Sequence, residues 1–99
     1  MKTIEKLNCY LANLNVLFRN LQTYHWYLTG KDFFIIHEKL EEFYNDINIQ
    51  IDDVAERILA IDGKPFATMT DYLENSFLAE AEAKEIPAKK SLEAVKSDF

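Results

Sequence analysis

The sequence predicts an all-α domain, and three observations predict it. Only two glycines and two prolines interrupt 99 residues, so long stretches run without a helix breaker. Those stretches are rich in Leu, Glu, Lys and Ala, which lose little side-chain freedom in a helix. Their apolar residues recur at spacings of three and four rather than two. At this length, with 48% of residues hydrophobic, residues 1–99 form one small domain.

Thr3 is the expected N-cap of the first helix, along which Leu7, Leu11, Leu14, Leu17, Phe18, Leu21, Tyr24 and Leu28 mark one apolar face as far as Gly30. A glycine is the usual helix terminator, because it adopts the left-handed conformation without strain. Asp32 is the expected cap of the second helix. Its apolar stripe runs through Ile36, Leu40, Phe43, Ile47, Ile51, Val54, Ile58 and Ile61, with Gly63 and Pro65 as the stop. The connection between the two helices is short, which predicts an antiparallel hairpin. In the segment TMTDYLENSF, Thr68 with Asp71 three residues on predicts a short capped helix within a long connection. A further helix is expected just after Pro87. It meets no stop signal before Phe99, so the chain reads as a domain incomplete at its C-terminus.

Composition restricts the function classes. The lone cysteine, Cys9, cannot form an intrachain disulfide and is expected to be a semi-buried thiol. No secretory signal is recognised, and no apolar run approaches the roughly 20 residues of a membrane span. A soluble, cytoplasmic protein without membrane association is expected. The net charge of −6 argues against general affinity for nucleic acid. The acidity is concentrated in residues 31–62, which hold nine acidic against three basic residues, whereas residues 1–30 hold Lys2, Lys6 and Arg19 against Glu5. A carboxylate-rich helix is most often a solvated face, and cation binding is the alternative that the pattern must decide.

The only two histidines, His25 and His37, flank the expected turn in HWYLTGKDFFIIH. His25 lies on the same helical meridian as Leu7, in the middle of the apolar face, and must point inward. Turning about 100° per residue from His37, Glu41 falls near 40°, Asp52 near 60° and Glu56 near 100°, outside the apolar stripe at roughly 240° to 340°. Four potential metal ligands therefore share one stripe of one helix. HEKLE is a near miss for the zinc-protease pattern HExxH, and the ExxH pair of di-iron bundles is absent. Distance is more informative. His37 and Asp52 are 15 positions apart on one helix, roughly 22 Å, whereas the ligands of one iron ion all lie about 2 Å from it. The stretch of the first helix level with Asp52 and Glu56 offers Lys6, Asn8, Cys9 and Tyr10, with no carboxylate or imidazole. A two-fold dimer resolves this. With the axis between Asp46 and Ile47, antiparallel pairing of the second helix with its copy sets His37 opposite Glu56 and Glu41 opposite Asp52. The hairpin leaves His25 level with His37, so two equivalent sites form, each from both chains.

HWYLTGKDFFIIHEKLE, followed by DDVAERILAIDGKP, resembles the paired signatures of the Dps family, the mini-ferritins or DNA-binding proteins from starved cells. Ile36 before the second histidine and Glu41 in place of Asp are mild departures. The resemblance covers residues 3–99 in outline. It implies a ferritin-like four-helix bundle with a short helix in its middle connection, of which this chain carries the first hairpin, the short helix and the start of the third helix. It further implies a homo-oligomer built through a two-fold dimer, a dodecamer at full length, that oxidises Fe(II), preferably with hydrogen peroxide, and stores ferric mineral against oxidative damage. By the same resemblance each inter-subunit site takes two iron ions. His25 with Asp52 and Glu56 of the other chain holds the tighter one, and His37 with Glu41 the weaker, more hydrated one. Trp26 is similar to the family tryptophan that intercepts stray oxidising equivalents.

Family members that bind DNA commonly use a Lys-rich tail. Here only Lys2 precedes the helix signal, and DNA binding is not expected. Two other functions compete with iron oxidation: a catalytically silent helical self-association module and a nucleoid-associated, DNA-protecting protein. Without third and fourth helices, apolar side chains such as Leu14, Leu21, Ile47 and Ile58 are expected to lose neighbours.

Overall fold

Two long helices carry most of the chain: α1, Lys2–Tyr27, and α2, Phe33–Ala60. The computed structural model describes residues 2–30, 33–87 and 90. A two-residue strand β1, Leu28–Thr29, follows α1; after α2 come a short helix α3, Met69–Asn75, and a strand β2, Ile86–Pro87. The helices run antiparallel as the spacing predicts. Ile4, at the start of α1, lies against Gly63 beyond the end of α2, and His25 meets His37 at the other end. Asp32, the expected cap of α2, and, apart from Lys90, the helix expected after Pro87 lie outside the described residues. Among the described residues no helix is long and apolar enough to cross a membrane.

The helix ends differ from expectation in ways that packing explains. Thr3 is not the cap of α1, because the helix already begins at Lys2. A cap is worth only about 1 kcal/mol, comparable to the burial of a methyl group or two, and Ile4 in the first turn packs at the end of α2. Nor does α1 reach Gly30. Its last residue is Tyr27, since Leu28 and Thr29 leave the helix to pair in parallel with Ile86 and Pro87. Gly30 then takes the left-handed conformation, φ 87°, that carries the chain towards α2. At the far end of α2 the left-handed residue is Asp62, φ 63°, not Gly63. Gly63 serves a different need. A Cβ there would stand 2.8 Å from Ile58 Cγ2 and 3.0 Å from Ile4 Cγ2, so only glycine lets the turn close on both helices.

Leu14, Leu17, Leu21, Leu28, Ile36, Leu40 and Ile47 form the core, with Phe18, Tyr24, Phe33, Tyr44, Ile51, Val54, Leu78 and Ile86 packed around it. Contrary to the expectation of lost neighbours, Leu14, Leu21, Ile47 and Ile58 are all buried. The long connection after α2 brings Leu78 and Ile86 onto the cluster that holds Leu14, Leu21 and Ile47, whereas Ile58 is covered at the Gly63 turn, beside Ile4. Phe43 and Ile61 are exposed although they belong to the predicted stripe. Both sit at its edge, near 240°, while the buried Ile36, Leu40, Ile47 and Ile58 lie between about 260° and 300°.

Three asparagines of α1 fasten that connection. Asn8 donates to Lys64 O (3.1 Å) and accepts from Phe66 N–H (2.9 Å). The Asn13 side-chain oxygen accepts from Ser76 Oγ (2.9 Å) and Phe77 N–H (2.7 Å). Asn20, only 1% exposed, donates to Ala79 O (3.0 Å) and accepts from Ala81 N–H (2.8 Å). Backbone groups outside regular structure are thereby satisfied by side chains. Between these clamps α3 forms as predicted, with Thr68 as N-cap accepting from Asp71 N–H at 3.1 Å. Cys9 is partly buried, its thiol 3.3 Å from Asn75 O.

Candidate metal centre

His25 occupies the last turn of α1 and His37 the second turn of α2, so the short connection folds them onto each other. Their rings stack with centroids 3.5 Å apart and planes 17° from parallel. His25 Nδ1 lies 2.7 Å from His37 O, and His37 Nδ1 lies 2.9 Å from His25 O. A carbonyl oxygen can only accept, so in each bond the Nδ1–H is the donor. In the neutral imidazoles this reciprocal pair assigns the proton to Nδ1 and leaves both Nε2 atoms with free lone pairs, the state in which histidine binds a metal.

The surroundings hold both rings in place. Phe33 stacks on His37 at 5.1 Å, and Tyr44 meets the His25 face edge-on at 5.3 Å. His25 is 4% exposed, pointing inward as its place on the helix predicts. Burial is the main cause that lowers its pKa below 6.5, and the charge His37 would carry lowers it further. The backbone bond to His37 and the Glu41 carboxylate pull the other way without cancelling this. His25 is thus kept neutral and available as a ligand at physiological pH.

Glu41, one turn beyond His37, brings a carboxylate oxygen to 3.8 Å from His25 Nε2. That is too long for a hydrogen bond. It leaves both groups free to ligate neighbouring ions of one two-ion site. Tyr44 lies a further turn along α2, and burial first, then the charge of the nearby Glu41 carboxylate, raise its phenol above 10, so it is protonated at neutral pH. Neither the reciprocal histidine bonds nor Tyr44 was read from the sequence. The spacing of Tyr44, three residues after Glu41 on one helix, was the available signal.

Within the chain, then, His25 stacks on His37 and lies 3.8 Å from the Glu41 carboxylate. Asp52 and Glu56 do not join them. Both are exposed near the opposite end of α2, and among the described residues no three His, Cys, Asp or Glu side chains converge as a metal-binding group. The same face of α2 also carries Phe34, 81% exposed, and Leu59, 58% exposed, at its two ends. Trp26, next to His25, is exposed, with the Arg19 guanidinium 5.7 Å from its ring centroid.

Residues 4–99 match the ferritin-like domain family. The chain is 47% identical over 96 residues to general stress protein 20U of Bacillus subtilis (strain 168), covering 97% of this chain and 66% of that protein. It is 48% identical over 98 residues to DNA protection during starvation protein 2 of Bacillus anthracis, covering 99% and 66%. Among solved structures, Dps from Listeria monocytogenes superposes with a TM-score of 0.91 at 40% identity, over 97% of this chain and 63% of that one. The chain therefore spans 63% to 66% of the length of these relatives.

Proposed function

The chain belongs to the ferritin-like domain family, with the Dps proteins as its relatives, and from that membership we propose that it is an iron-oxidising and iron-storing mini-ferritin subunit. Its substrates are Fe(II) and hydrogen peroxide. Two Fe(II) ions each give up one electron, and the peroxide takes both with two protons to yield two waters. The site lies between two subunits. His25 with the partner's Asp52 and the partner's Glu56 holds the tighter iron, and His37 with Glu41 holds the second. Imidazole and carboxylate together suit Fe(II), and the added negative charge favours Fe(III) once formed. The ferric product is stored within a closed homo-oligomer, a dodecamer for the full-length protein, in the cytoplasm.

The observation that carries the shared site is a second use of the same register. A two-fold axis between Asp46 and Ile47, chosen to pair histidine with carboxylate, also sets the exposed Phe34 opposite the partner's Leu59. Two large apolar side chains that a lone chain leaves in water thereby cover each other, each gaining roughly 1.5 to 3 kcal/mol on full burial. The supporting observation is the free Nε2 of each histidine, one of them 3.8 Å from a carboxylate oxygen.

Anaerobic titration with Fe(II), followed by addition of peroxide, tests the reading. Saturable binding is expected at two ions per site, with one peroxide consumed per two Fe(II). His25→Ala should abolish it. Unsaturable binding, or saturation indifferent to His25→Ala, would overturn the proposal.

A further inference from the structure

The two imidazoles of the site are held by different means. His25 is buried, so close packing fixes its ring, whereas His37, in the second turn of α2, is only half-buried. The outer torsion of a histidine side chain is soft, and an imidazole with one face open to water turns and carries its lone pair with it. Something besides burial must hold the His37 ring.

Phe33 supplies it. It is the first residue of α2 and lies one turn before His37, so the two side chains share one side of the helix. The Phe33 ring stacks on His37 with centroids 5.1 Å apart and planes 19° from parallel. His25 covers one face of His37 at 3.5 Å and 17°, which leaves Phe33 the other. Phe34 in turn meets the Phe33 ring edge-on at 5.2 Å and 89°. His37 Nδ1 is tied to His25 O at 2.9 Å, so with both faces and that nitrogen taken, Nε2 is the nitrogen left for a ligand. We propose that Phe33 is a positioning residue of the metal centre, its ring closing the face of His37 opposite His25 and so fixing the direction of the His37 Nε2 lone pair. The inference rests on the proposed metal site. It concerns the ion that His37 holds with Glu41, not the one assigned to His25.

Leucine or methionine at position 33 keeps an apolar side chain but offers no flat face, whereas tyrosine keeps the ring. The probe is Co(II), titrated anaerobically into the assembled protein and followed by calorimetry and by its visible absorption, with helical content measured for each variant. His37→Ala and Asp52→Asn identify the two binding phases. In Phe33→Leu and Phe33→Met the phase that His37→Ala removes should weaken about tenfold, the lower end of what losing a group that orients a metal ligand costs. Its Co(II) spectrum should shift, while the phase that Asp52→Asn removes should match the parent. Phe33→Tyr should restore both the binding and the spectrum. If Phe33→Leu and Phe33→Met bind both ions like the parent, if Phe33→Tyr is as weak as they are, or if both phases weaken together with a loss of helical content, the positioning role is wrong and the site stands. If His37→Ala and Asp52→Asn both bind like the parent, the site itself is wrong, and the role of Phe33 falls with it.

Discussion

The imidazoles of His25 and His37 lie face to face, 3.5 Å between centroids, and each donates its Nδ1–H to the other residue's backbone carbonyl. One device thus locks two helices together and sets the protonation of both rings. It also implies that a proton added to either ring faces an imidazole 3.5 Å away.

The first consequence is a pH dependence. The folded-state pKa of His25 lies below 6.5, chiefly through burial, so the unfolded chain takes up that proton first as the pH falls. The stability His25 contributes is complete above about 6.5 and is lost as the pH drops through its lower folded-state value. Thermal melts from pH 8 to pH 5 should show a declining midpoint. The decline should be shallower in His25→Gln. Parallel curves for the two proteins would contradict the assignment.

Asp52→Asn should lower peroxide-driven Fe(II) oxidation by about tenfold or more while leaving the fold intact, because it removes a ligand charge from an exposed position rather than core volume. Oxidation kinetics and circular dichroism on one preparation read both. Parental kinetics would remove Asp52 from the site.

Sharing of the site between subunits is expected to appear as complementation. A His25→Ala chain and an Asp52→Asn chain, each strongly impaired alone, should recover activity once their subunits exchange, because one of the two sites in a mixed dimer is then complete. Persistent impairment, with exchange verified by mass spectrometry, would argue for a site within one chain.

Phe34→Glu places a charge where the proposed register packs Phe34 on the partner's Leu59. Burying an unpaired carboxylate against an apolar side chain is strongly unfavourable, so the variant should sediment as smaller species than the parent at equal concentration. Since Phe34 is 81% exposed in the single chain, helical content should be unchanged.

Asn20→Ala removes the side-chain hydrogen bonds to Ala79 O and from Ala81 N–H, leaving two part-buried backbone groups of the connection without that partner. A loss of about 1 to 3 kcal/mol is expected for such a group, read from denaturant unfolding. Asn15→Ala, which breaks only a bond to Leu11 O within its own helix, should cost less.

Much of the hairpin was legible because a helix writes its buried face into the chain at a fixed period. The stripe from Leu11 to Leu28, the inward aim of His25, the meeting of His25 with His37 and the Thr68 cap all follow from spacing and local hydrogen bonding. The asparagines were not legible. Nothing along α1 marks their role, since the groups that Asn8, Asn13 and Asn20 hold lie 56 to 64 positions away. Phe43 and Ile61 were misjudged for a related reason. The width of a buried stripe depends on what packs against it.

By itself, then, the sequence determined which residues share a helical face, that two histidines bracket one turn, and that Asp52 and Glu56 stand too far along α2 to join them in one chain. These are consequences of a rise and a rotation per residue, which every helix shares. Tertiary structure alone decided that His25 and His37 trade Nδ1 hydrogen bonds, that the Tyr44 ring meets both Phe18 and His25 edge to face, and that the connection after α2 packs Leu78 and Ile86 against the core of the hairpin. Each depends on a distance between elements remote in sequence, and such distances are set when side chains pack, not by the order in which they are linked.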